Sequence, residues 1–277
     1  MRTRITCLLL AAVLLVLSAS GLNAQEASTP AVINAPVGGS IAQIVTFYNQ
    51  YANAVKAADR ITVIKRDVRE VDMEIPGVLR ALMPRRMLDS PNQNITVTEN
   101  FVNGEGTNDT SRKLIDFLPV NGKLFVSQLR ASHVQSANCV RRGSGWVVTI
   151  MLKDEPLDTI LNNSADFENM PEADRENFMN NLLLESGYGS SMELSSHNTP
   201  GRERPDTQRH PSNINRRSIK YDGGFQNGRI VAAFNQEGQL TSLTHSYNMN
   251  MNISVLLMKM KMNSSSLQEY QFIYPTN

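Results

Sequence analysis

Cysteine is nearly absent, with only Cys7 and Cys139 in 277 residues. Cys7 precedes an N-terminal apolar run that is expected to be removed, so the mature chain keeps one thiol and can form no internal disulfide. The same scarcity excludes a paired-cysteine metal motif and a lipid-attachment cysteine at the cleavage position. Cys139 stands in a β-prone run and is expected to be a small buried residue, not a nucleophile. Histidine is also scarce. His133, His197, His210 and His245 include no two at metal-ligand spacing, and no HExxH motif is present, so no metal is implied.

The chain has no GxGxxG, Walker-type or EF-hand loop, and it implies no cofactor. Aromatic residues make up only 6% of the chain, little for a sugar-stacking surface. That weighs against reading Asp154-Glu155, or Asp166 with Glu168, as the carboxylate pair of a glycosidase. Gly38-Gly39-Ser40-Ile41-Ala42 approaches a nucleophile elbow, but no strand precedes it and Ser40 suits a helix cap better. No catalytic residue is assigned.

Long apolar runs are missing apart from Leu8 to Leu17, which follows Arg2 and Arg4 and leads into the small residues Ser18, Ala19 and Ser20. This is the pattern of a secretory signal peptide over 1–24, with cleavage after Ser20 or Ala24. The run is too short to span a bilayer comfortably, and no transmembrane segment is expected after cleavage. Removal leaves 25 Lys+Arg against 26 Asp+Glu. So even a balance gives no electrostatic reason to expect nucleic acid as a partner.

What the chain does have is a long period-two stretch, Gln239 to Met262. Leu243, His245, Tyr247, Met249, Met251, Ile253 and Val255 share one parity, and Ser, Thr and Asn fill the other. The parity slips at Leu256-Leu257, after which Met258, Met260 and Met262 alternate with Lys259 and Lys261. The pattern predicts one long strand with a β-bulge at the slip, bent, with a Met-rich inner face. Upstream, Ser40 caps a predicted helix through about Ala58, with Ile41, Ile44, Val45, Tyr48, Tyr51, Ala52 and Val55 as its apolar stripe. Gln43, Thr46, Gln50 and Asn53 form the opposite, polar face.

Between these lie predicted strands over Ile61 to Ile75, Asn94 to Val102, His133 to Arg141 and Gly145 to Lys153, the last two joined at Gly143-Ser144-Gly145. A helix over about Glu172 to Glu185 follows. The Ser-, Asn-, Pro- and Arg-rich segment 186–217 is expected to be a flexible insertion, with a basic tail over 201–220. Strands at Ser218 to Asp222, Arg229 to Asn235 and Leu267 to Tyr274 complete the set. The organisation is a lead-in over 25–39 and a single α+β domain over 40–277, with a curved antiparallel sheet packed on the N-terminal amphipathic helix.

Three segments carry a resemblance. Tyr48 to Lys56, Phe117 to Lys123 with Ser127, Leu129 and Val148 to Glu155, and Asn227 to Ser254 are similar to uncharacterised secreted proteins and lipoproteins of Gram-positive gut bacteria. That resemblance implies a secreted protein and brings no activity. The architecture resembles the half-barrel carriers of lipids, a sheet wrapped on a helix. The leading expectation is a non-catalytic binding protein of the cell envelope, its apolar or lipid-like ligand held between sheet and helix by Met249, Met251, Met258, Met260 and Tyr48. The alternatives are an envelope structural or interaction protein with a filled core, and a hydrolase assembled from loops.

Overall fold

The computed structural model describes residues 33–77, 92–109, 112–156, 186–192, 219–255 and 258–275. The expected signal peptide at 1–24, most of the expected lead-in, the helix expected at 172–185 and residues 193–217 of the expected insertion lie outside them.

Helix α1, Ile41–Asn53, starts where its cap demands. Ser40 Oγ accepts from the Gln43 backbone N–H at 3.4 Å, while Ser40 N–H donates to Gln43 Oε1 at 2.9 Å, so two N-terminal donors are satisfied reciprocally. The helix tightens into a 3-10 turn over Ala54–Ala57. Ile44, Val45, Tyr48, Ala52 and Val55 are buried as their spacing predicts, and Phe47 joins them.

Among the described residues nine strands make one open antiparallel sheet: β1 Arg60–Glu74, β2 Gln93–Val102, β3 Glu105–Gly106, β4 Val134–Arg142, β5 Gly145–Leu152, β6 Glu155–Pro156, β7 Ile219–Phe234, β8 Leu240–Val255 and β9 Met258–Ile273. Their order is β3-β2-β1-β9-β8-β7-β5-β4, with β6 also on β7. The last strand therefore lies between the first and the eighth. A single α-helical turn, α2 at Leu114–Phe117, interrupts the segment between β3 and β4. Among the described residues no helix is long and apolar enough to cross a membrane.

The stretch 239–262 is two strands, not one with a bulge. Val255 pairs with Met258, so the chain reverses there, and β9 runs on through the residues read as a separate strand at 267–274. A two-residue connection shifts parity by the same one step as a bulge, which is why the pattern alone cannot separate them. The irregularities of the β7–β8 pair lie instead between Gln226 and Arg229, where Asn227 has φ 56°, and between Ala233 and Phe234, and the β4–β5 pair has another between Val134 and Ser136.

The start of the expected insertion also differs. Residues 186–192 form a buried turn in which Tyr188 is 0% exposed and stacks on Phe225 at 5.2 Å. Tyr188 Oη accepts from Gly228 N–H at 2.9 Å. Tyr188, an aromatic ring with a hydrogen-bonded end, and the buried Met192 anchor a turn otherwise made of Ser and Gly.

α1 lies over the face that carries Phe234, whose ring centroid is 5.4 Å from that of Phe47. The segment 113–130 covers the neighbouring part, with Phe117 at 5.4 Å from Phe101. Polar residues of the helix and its 3-10 turn, Asn53 of the expected polar face among them, hold this segment. Lys56 Nζ donates to the carbonyls of Ile115, Val120 and Lys123 at 3.1, 3.1 and 2.8 Å. Asn49 Nδ2 donates to Leu129 O at 2.8 Å. Side chains thus supply the partners that this loop's backbone lacks.

Candidate functional site

Residues paired across antiparallel strands project from the same face, so the register sorts the sheet into rows. The row Lys65, Tyr270, Leu243, Ala232, Val148, Cys139 is core, apart from Lys65. The Lys65 ammonium lies 5.5 Å from the Tyr270 ring and 5.7 Å from that of Phe117, a cation–π position between sheet and cover. Cys139 is buried, as expected of it.

The next row is different. It places Asp67, Gln268 and His245 side by side on β1, β9 and β8, with Ile230 and Ile150 beyond. Asp67 is 9% exposed, Gln268 0% and His245 1%. The row after that begins with Arg69, Ser266 and Tyr247. Asp67 Oδ1, Arg69 Nη2, Ser266 Oγ and both ring nitrogens of His245 are buried with no hydrogen-bond partner. An unpaired buried polar group costs about 1–3 kcal/mol. Apolar residues at these positions would remove that cost, so the cluster is a feature that packing alone does not account for.

Burial pushes the His245 imidazole down to about 3, leaving it neutral, with one nitrogen a donor and the other an acceptor. Its ring stands 6.3 Å from that of Tyr270 at 65°.

Two rows further on, Met73, Met262 and Met251 lie abreast on β1, β9 and β8. All three are half-buried, as are Met249 and Met260. Met260 pairs with Ile253, and Met258 enters the described structure as the backbone partner of Val255. Tyr48 lies on α1, 0% exposed, its hydroxyl without a partner and its pKa raised by burial.

The opposite face of the same strands is polar. Val68, Leu267 and Ser246, with Glu70, Ser265 and Asn248 below them, line an open groove of about 410 Å³ together with Asn227. None of the methionines lines it.

One acid–base pair does converge. Glu155 Oε1 accepts from Gly187 N–H at 2.7 Å, and a Cβ on Gly187 would lie 2.8 Å from His133 Cβ. Glu155 Oε2 and His133 Nδ1 are both buried without partners. Desolvation lowers the His133 pKa against the opposing pull of Glu155. The nearby hydroxyls of Ser190 and Ser191 donate to Gly187 O, so they are committed to the turn. Among the described residues no group of His, Cys, Asp and Glu could hold a metal ion.

Sequence reasoning found His245 on its apolar parity but missed Asp67, Arg69, Ser266 and Gln268. The signal was there: counting by two from Ile61 and Val63 leads through Lys65, Asp67 and Arg69 to Val71 and Met73. Three ionisable residues on an apolar parity hide a strand from a hydropathy pattern. No protein-family model, curated protein or solved structure matches this chain.

Proposed function

We propose that this is an exported, non-catalytic binding protein of the cell envelope that holds an apolar or lipid-like ligand against one face of its sheet, the sheet curving around α1 in the manner of a half-barrel. The observation that carries it is the row Met73, Met262, Met251: three unbranched, polarisable side chains abreast and half-buried, on the face that elsewhere forms the core. Under α1 itself the face is filled by Phe47, Phe234 and their neighbours. On this reading the chain of a ligand lies along the methionine end, clear of α1 and its buried Tyr48.

Native mass spectrometry of the mature protein after gentle purification tests this, together with titration by a fluorescent apolar probe. Retained ligand, and probe binding that Met251→Asp weakens at least tenfold, is the expected result. A ligand-free protein that binds no probe would instead make this a filled-core interaction protein.

A further inference from the structure

The buried polar cluster lies on the same face as the methionine rows, and its chemistry is specific. We propose that Asp67, Arg69, Gln268, Ser266 and His245 receive the polar head of the bound ligand, and that this head is uncharged and rich in hydroxyls, of the glycerol or sugar class. The inference rests on the reading that the methionine end takes an apolar chain.

Size comes first. Adjacent strands are about 4.8 Å apart, so Asp67 and His245, two strands apart, are separated by about 10 Å. Asp67 and Arg69 are two residues apart along β1, about 7 Å. A patch of that extent matches one glyceryl group or one sugar ring. From His245 to Met251 is six residues of extended strand, about 20 Å, the reach of a long acyl chain.

Polarity comes second. The unpartnered atoms include acceptors, Asp67 Oδ1 and one His245 nitrogen, and donors, Arg69 Nη2 and the other His245 nitrogen. Ser266 Oγ can act in both senses. Asp67 and Arg69 carry opposite charges and balance each other within the patch, while the next charge on this face, Lys65, lies one row away against the Tyr270 and Phe117 rings. A carboxylate head would meet Arg69 favourably but would face Asp67 and leave Asp67 Oδ1 and the His245 acceptor unpaired. A hydroxylated head both donates and accepts, as the patch requires. Burial of an unpaired polar group is the costly alternative, and it penalises a head with the wrong pattern more than it rewards the right one.

The test compares 1-monooleoylglycerol with oleate, which share one chain, by calorimetric titration of the delipidated mature protein. The wild type is expected to bind the glyceride at least tenfold more tightly. His245→Phe, which removes two unpartnered nitrogens and keeps an aromatic ring, and Ser266→Ala are each expected to weaken glyceride binding by about tenfold while leaving oleate within about twofold. Equal binding of the two lipids, or a preference untouched by both variants, overturns the assignment of the head site and leaves the apolar-chain reading standing. Binding of neither lipid overturns both.

Discussion

Asn53 and Ser127 pair as two strands would: Asn53 Nδ2 donates to Ser127 O at 2.9 Å, and Ser127 N–H donates back to Asn53 Oδ1 at 2.8 Å. The same oxygen accepts from Val126 N–H at 2.8 Å, so one side-chain amide does the work of a backbone bridge between α1 and the covering segment.

Asn53→Ala should lower stability by about 2–3 kcal/mol, because it leaves the Val126 and Ser127 groups part-buried and unpaired. Lys56→Met, which keeps the apolar stem and strips the ammonium from three carbonyls, should cost a similar amount. Gln50→Ala, on the exposed side of the helix, should stay within about 0.5 kcal/mol. Urea unfolding midpoints of the three variants check this. Equal midpoints for Asn53→Ala and Gln50→Ala would mean that the segment is held by its apolar contacts alone.

His245 predicts an acid-sensitive fold. Its folded pKa is depressed to about 3 from the ordinary 6.5, so the unfolded chain takes up a proton that the native state refuses. The stability it contributes is complete above pH 6.5 and is lost as pH falls toward 3, at about 1.4 kcal/mol per pH unit. His133, also depressed, adds a slope of the same sign. The difference between wild type and His245→Phe isolates the buried ring. Unfolding free energies at pH 7, 5.5 and 4.5 should fall more steeply for the wild type, and parallel slopes would mean that the folded protein accepts the His245 proton as readily as the unfolded chain.

Gly228 should tolerate no side chain. A Cβ there would lie 2.6 Å from Cε1 of Tyr188, and moving that ring would break its bond from Gly228 N–H and its stack on Phe225. Gly228→Ala is expected to cost about 2–3 kcal/mol and to change the near-ultraviolet circular dichroism. Tyr188→Phe, losing only the hydroxyl, should cost about 1 kcal/mol. A neutral Gly228→Ala would show that the 186–192 turn can lift off the sheet freely.

Much of this architecture could be read from the chain. Alternating residues found β2, β5 and most of β8, and the Ser40 cap placed the start of α1 to within a residue. Boundaries failed where one signal has two causes, as at Leu256-Leu257, whose shift of parity fits a bulge and a reversal equally. The candidate site was hidden for a different reason. Register is a long-range property: Asp67 meets Gln268 across 201 positions of sequence, and nothing local to either residue announces the other. Asn53 and Lys56 were legible as helix residues, but their loop partners lie in a stretch with no period at all.

The insertion of β9 between β1 and β8 orders events in time. The β1–β2 pair has no neighbour on its β1 side until β9 has been made, and the ion pair of Arg66 with Glu269 closes a loop of 203 positions. Nascent chains should therefore stay incompletely folded until β9 has left the ribosome, and trimming a few residues from the Ile273 end of β9 would leave the amino-terminal strands without their place in the sheet.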